Sequence, residues 1–143
     1  MNEFLPVENA TREGIDRLEQ ALREMPQAEF PTKHYFANGL YVREMQVKAG
    51  TVLVGKVHKT QHIFALIQGG MTLVWDSHRL RVKAPFITVS EPGIKRAGLA
   101  HEDCVCLNIH HTNLTDIDEV ERSLVEEDPL ARFDAFNHLK ALT

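Results

Sequence analysis

Gly50-Thr51-Val52-Leu53-Val54-Gly55-Lys56-Val57-His58-Lys59-Thr60-Gln61-His62-Ile63-Phe64-Ala65-Leu66-Ile67-Gln68-Gly69 is the stretch whose texture decides the fold. Two apolar, β-branched runs flank a short polar connection, and a glycine stands at each end. A strand rises about 3.3 Å per residue and alternates its side chains between two faces. That alternation sets Lys56 and His58 on one side of the first run, while His62 opens the second. Working outward, similar runs recur at Leu40–Lys48, Met71–Trp75, Leu80–Lys83, Phe86–Val89 and Cys104–His111, with Thr51–Val57 and His62–Gln68 between them. Turn signals separate them at Ala49-Gly50, Gly69-Gly70, Asp76-Ser77, Ala84-Pro85 and Glu91-Pro92-Gly93. Short strands at this spacing, with no helical pattern between them, predict an all-β antiparallel sandwich or barrel.

Helical patterns bracket this middle. Ile15, Leu18, Leu22 and Met25 form an apolar stripe, with Asn9 or Thr11 as the cap, Pro26 as the stop and Phe30-Pro31 as an extended linker. After the strands, Thr115 and Asp118 make a capping-box pattern ahead of Ile117, Val120 and Leu124. Asp128-Pro129 then predicts a last helix bearing Leu130, Phe133, Phe136, Leu139 and Leu142. The organisation expected is residues 1–39 as helix and linker, 40–111 as barrel, and 112–143 as acidic helices.

The 143 residues, 43% hydrophobic and 25% charged, suit one ordinary domain and exclude a disordered or fibrous chain. No run of about eighteen apolar residues is present, so no membrane partner is expected. Met1–Ala10 holds two Glu and a Pro before any basic residue, unlike a secretory signal. Cys104 and Cys106 lie two apart on one predicted strand, a geometry that disfavours a mutual disulfide. The expectation is an intracellular protein with reduced thiols. Charge is uneven: Met45 to Ala100 carries eight Lys or Arg against Asp76 and Glu91, while Asn113 to Asp128 carries seven acids against Arg122. Such a basic middle is either a solvated surface or an anion-attracting pocket.

Lys56, His58 and His62 converge from two neighbouring strands. Neutral imidazoles ligate metals, so His58 and His62 are candidate ligands for a divalent metal ion. A protonated Lys56 beside them repels a cation and welcomes an anion.

The stretch resembles the first motif of the cupin superfamily, small double-stranded β-helix (jelly-roll) barrels. The spacing Gly50, position 56, His58, position 62, Gly69 follows the motif, but Lys56 replaces its first His and His62 its Glu. The second motif maps onto Pro85, Glu91, Gly93, Arg96 and Ala100, where only Gly93 matches and Arg96 replaces the remaining His. The resemblance covers about Leu40 to His111. It implies a cupin-type barrel with flanking N- and C-terminal α-helices. A pocket formed by Lys56, His58, His62 and Arg96 is suited to a small anion, such as a carboxylate or phosphate. A metal on the two histidines, or side chains that simply fill the barrel mouth, are the alternatives. Resemblance to cupin-like sugar-nucleotide epimerases adds an enzymatic reading, either isomerase or metal-dependent. A His base there needs an orienting carboxylate, for which Asp76, Glu91, Glu102 and Asp103 are on offer.

Of the second cluster, His101, Cys104, Cys106, His110 and His111, the spacing fits no zinc module and predicts core or sheet surface. Alternation from Cys104 nevertheless puts Asn108 and His110 on the side of Cys106, so His110 is a further candidate ligand if that side is the interior. His34, His78 and His138 read as surface residues, and Trp75 as packing. No phosphate loop, nucleophile elbow or nucleic-acid module is present, so no nucleic-acid partner is expected. With Gly93-Ile94-Lys95-Arg96-Ala97-Gly98 and Ala100-His101-Glu102-Asp103, the chain also looks like small cupins encoded in bacteriophage genomes. That likeness implies host cytoplasm or virion as location, phage structural proteins as partners, and a scaffold role as an alternative to binding. Likeness to barrels that pair through sheet edges or swapped terminal segments also implies a homo-oligomer.

Overall fold

A computed structural model describes residues 11–140. The reading of Met1–Ala10, the cap at Asn9 and the apolar position Leu142 lie outside the described residues. The helix α1 (Arg12–Arg23) is followed by strands β1 (Thr32–Ala37), β2 (Leu40–Val47), β3 (Val52–Val54), β4 (His62–Gln68), β5 (Gly70–Trp75), β6 (His78–Lys83), β7 (Phe86–Ser90), β8 (Ala97–Ala100) and β9 (Cys104–His111), then by α2 (Ile117–Leu124). All pairings are antiparallel, in one sheet ordered β1-β2-β9-β4-β7 and a second ordered β3-β8-β5-β6.

Period-two alternation turns one face of each sheet inward. Val47, Phe64, Leu66, Met71, Leu73, Val82, Cys104 and Cys106 meet there in one core, with Leu66 fully buried. Both cysteines are free and buried, and desolvation pushes the Cys106 thiol up to about 12. They serve as small apolar core residues. Toward one end of the barrel this core gives way to polar side chains, and there the site lies.

α1 begins at Thr11, whose side-chain oxygen accepts from the Gly14 amide. It lays Ile15 and Leu18 on the outer face of the second sheet, against Val52, Val54, Val74, Ala97 and Leu99. Lys95, just before β8, reaches Asp16 and Glu19 at 2.6 Å each. Thr11→Ala removes the cap and is expected to cost about 1 kcal/mol. Urea titration should show this as a lower midpoint at unchanged slope.

Several elements depart from the sequence reading. Thr32–Ala37, placed in the linker, is β1, recruited at the sheet edge by β2. The run Thr51–Val57 is a strand only over Val52–Val54, so Lys56 and His58 do not share a regular strand. His58 instead makes an isolated bridge with Val125. α2 is capped by Asp116, which accepts from Glu119 N, rather than by Thr115. The helix expected after Asp128-Pro129 does not form, because aspartate side chains capture the amides first. Asp128 accepts from Leu130 N, and Asp134 accepts from Phe136 N and His138 N. Local Asx turns of this kind outcompete the first helical turn.

Candidate metal and anion site

Three histidines close one end of the barrel interior. His62 enters from the start of β4, His110 from the end of β9, and His58 from the connection after β3. The backbone fixes His58 from both sides: Gly93 N donates to its carbonyl, Lys59 N donates to Leu124 O, and Glu126 N donates to Val57 O. The ring centroids lie 4.1 Å (His58–His62), 4.5 Å (His62–His110) and 4.9 Å (His58–His110) apart. One ring nitrogen from each falls within 4.8 Å of the others.

Burial decides their charge. Desolvation, then the neighbouring imidazoles, pushes His58 down to about 2 and His110 to about 4. His62 is lowered as well, chiefly by burial, with hydrogen bonds to Thr60 and Asn108 opposing the shift. All three rings are therefore neutral at pH 7, and each offers a lone pair. Two nitrogens are left over: Nδ1 of His58 and Nδ1 of His110 are buried with no hydrogen-bond partner among the described residues. Asn108 lies 3.1 Å from His62 Nε2 through its side-chain oxygen. His62 Nδ1 faces the Thr60 carbonyl oxygen at 3.5 Å. A neutral ring donates once, so His62 gives its proton to one of these two oxygens and keeps a lone pair on the other nitrogen.

Arg96 stands beside the histidines, just before β8. Its guanidinium sits 5.0 Å from the Trp75 ring centroid and 5.4 Å from that of Phe64, and it donates to Ser90 Oγ at 3.1 Å. Its Nε is buried without a partner, and no carboxylate among the described residues lies within ion-pair distance. Burial lowers Arg96 from its ordinary value; it remains a cation at neutral pH. A cavity of about 100 Å³ joins Arg96 to His58 and His62, with apolar walls that include Leu53, Phe64, Met71, Leu73 and Ile94.

The residues singled out from sequence thus fare differently. His58, His62, Arg96 and His110 come together. Lys56 also lines the cavity, but its ammonium is bound by Glu121 of α2 and donates to the Phe133 carbonyl at 3.4 Å. Of the two cations expected to greet an anion, Arg96 alone lacks a carboxylate. The candidate orienting acids do not reach the imidazoles: Glu91 accepts from Gln61 at the rim, Glu102 faces Lys83, and Asp103 accepts from Ala49 N. His34 is not a linker residue; it sits on β1 with Nδ1 2.7 Å from the Tyr41 hydroxyl. Trp75 packs, and does so against the guanidinium. Two contributors escaped the sequence reading. Ser90 carries no local signal, and Glu121 lies in an acidic stretch that reads as solvated surface.

No protein-family model and no curated protein sequence matches the chain. Solved structures do. A cupin-2 domain protein from Shewanella frigidimarina superposes with TM-score 0.50 at 12% identity, over 65% of this chain and 99% of that one. A cupin superfamily protein from Desulfitobacterium hafniense gives 0.51 at 9% identity, over 65% and 86%. Salicylate 1,2-dioxygenase from Pseudoaminobacter salicylatoxidans, solved with gentisate, gives 0.56 at 15% identity, over 78% of this chain and 34% of that longer one. The two antiparallel sheets of this chain thus have the fold of cupin-domain proteins.

Proposed function

We propose that the chain is a cupin-type binding protein that holds a divalent transition-metal ion on His58, His62 and His110 and admits a small organic anion to Arg96. The reading rests on three neutral imidazoles packed against one another, His62 and His110 buried and His58 half-buried, two of them with an orphaned Nδ1. Burying a polar nitrogen without a partner costs free energy, and an ion accepting those lone pairs relieves the cost. Three imidazoles and no carboxylate suit zinc, iron, nickel or copper better than magnesium or calcium. Bound there, such an ion supplies Lewis-acid polarisation of a ligand oxygen.

Arg96 gives the ligand its charge, and the cavity its size. A half-buried guanidinium packed on two aromatic rings, with no carboxylate partner among the described residues, favours a monoanion, most simply a carboxylate, met by forked donation. About 100 Å³ between apolar walls fits an acid of a few heavy atoms. The anion expected from the sequence is kept in this reading, with Lys56 removed from its binders by Glu121. The gentisate in the salicylate 1,2-dioxygenase structure is likewise an organic acid.

Metal titration tests it. Zinc or nickel at a hundred times Kd is expected to stabilise by about 2.7 kcal/mol, a rise in Tm of roughly 9 °C for a chain this long. One equivalent should bind, and both effects should vanish in His58→Ala and His110→Ala. Arg96→Gln should keep the metal effect and lose any further shift from pyruvate or lactate. Sub-stoichiometric uptake of zinc, nickel and cobalt alike would discard the reading.

A further inference from the structure

Four strands are bonded on one side only: β1 and β7 at the ends of one sheet, β3 and β6 at the ends of the other. Three of them offer a visiting strand little. β1 carries Lys33 with Glu44 opposite it in register, so its charge is matched. β7 has no charged residue. β3 is three residues long, with Val52 and Val54 under α1. β6 is different. Arg79, Arg81 and Lys83 occupy every second position along it, so all three stand on the outer face. Opposite them β5 presents Val74, Thr72 and Gly70, none of them acidic. Among the described residues no carboxylate lies within ion-pair distance of Arg79 or Arg81, and Lys83 meets only the exposed Glu102, at 3.8 Å. Leu80 points toward the core, opposite the buried Leu73, yet is 41% exposed. The far side of β6 is thus open.

We propose that the free edge of β6 takes up an extended acidic segment of another protein as an added strand of the four-stranded sheet. An unpaired strand offers an N–H and a C=O at every second residue, and an extended peptide satisfies both. The side chains then choose which peptide. A strand laid beside β6 sets its outward residues about 5 Å from Arg79, Arg81 and Lys83. Asp or Glu is attracted there, and Lys or Arg is repelled. The alternate residues of the visitor turn toward Leu80, where apolar side chains cover what the edge leaves bare. The sequence sought therefore alternates acid with hydrophobe. The same row of cations bars a second copy of β6, because like charges would stand side by side across the new pair. A polynucleotide finds the cations, but it leaves the backbone groups of the edge unpaired, and Arg79–Lys83 holds no aromatic ring on which a base could stack.

Fluorescence anisotropy on the full chain at low salt tests the proposal. The probes are a labelled peptide of alternating Glu and Val, its Lys counterpart, and an oligothymidylate of matched charge. The Glu peptide should bind and the Lys peptide should not. Arg79→Ser with Arg81→Ser should weaken binding about five- to tenfold, and Arg79→Lys with Arg81→Lys should keep most of it. Circular dichroism and the metal-dependent rise in Tm should be unchanged in both pairs, because these side chains point away from the barrel interior. Methylating the backbone nitrogens of the Glu peptide keeps its charge, removes its backbone donors and should abolish binding. Should the serine pair fold poorly, the methylated peptide on the unaltered chain decides alone. Equal binding by the methylated peptide or by the oligothymidylate overturns the proposal, since charge would then suffice. So does a Glu peptide that fails to bind at about 1 mM.

Discussion

Gly69→Ala should lower the melting temperature by more than about 10 °C, the largest single-residue effect expected in this protein. Gly69 sits at the corner where the chain leaves β4 in one sheet for β5 in the other, with φ at +87°. A side chain there meets two costs. The left-handed backbone conformation costs an L-residue about 1–2 kcal/mol. In addition, a Cβ would collide with the Asp103 carbonyl oxygen and stand 2.8 Å from Cys104 Sγ and 3.0 Å from Cys104 Cα. Two of those neighbours are the backbone entering β9, and the third is a side chain buried in the core, so none has room to swing aside. Together the costs reach roughly 3–5 kcal/mol, within the range that strain and overpacking produce. At this chain length that is about 10–17 °C. Gly50→Ala is the control. Its φ is +84°, yet nothing lies within 4 Å of its would-be Cβ, so it should lose only about 1–2 kcal/mol. Calorimetry of the two variants side by side separates backbone strain from collision; equal losses would refute the steric account.

Acid should unfold the metal-free protein early. In the unfolded chain His58 and His110 take up protons near 6.5, whereas in the fold burial holds them near 2 and 4. Above pH 6.5 both states are neutral and the pair contributes nothing to pH dependence. Below 6.5 the unfolded state binds protons that the native state refuses, so stability falls with pH at up to about 1.4 kcal/mol per unit for each histidine. The His110 contribution levels off near pH 4, while that of His58 continues toward 2. Between pH 6.5 and 4.5 the pair alone accounts for a loss of about 3–5 kcal/mol, a large part of what a domain has. Asp16, held low chiefly by Lys95, loses its contribution only as pH falls below the ordinary carboxylate value. The window from 6.5 to 5 therefore reports the histidines. Urea titrations in chelator at several pH values should show this slope, and His58→Asn with His110→Asn should reduce it to the share left by His34, His62 and His101, which burial also lowers. An unchanged slope in the double variant would mean the protons go elsewhere.

The strand runs from Leu40 onward were legible because each side chain's face follows from period two alone. His110 was reachable by the same count from Cys104. β8, Ala97-Gly98-Leu99-Ala100, was not, because its small residues have little β-preference; pairing with β3 and β5 on its two sides makes it a strand, with Ala97 and Leu99 packed under α1. The Lys56–Glu121 pair was out of reach as well. It spans sixty-five positions of chain, and no local spacing announces such a meeting. The failed last helix shows the reverse: its apolar period was present, but side-chain capture at Asp128 and Asp134 took hold first.

The tail beyond the barrel is a splint. His58 lies outside any regular strand, and the backbone that pins it belongs in part to residues 124–126. Trimming the chain to its strands would keep two of the three imidazoles in register and cast the third adrift. The smallest piece of this protein able to assemble the trio thus extends past α2.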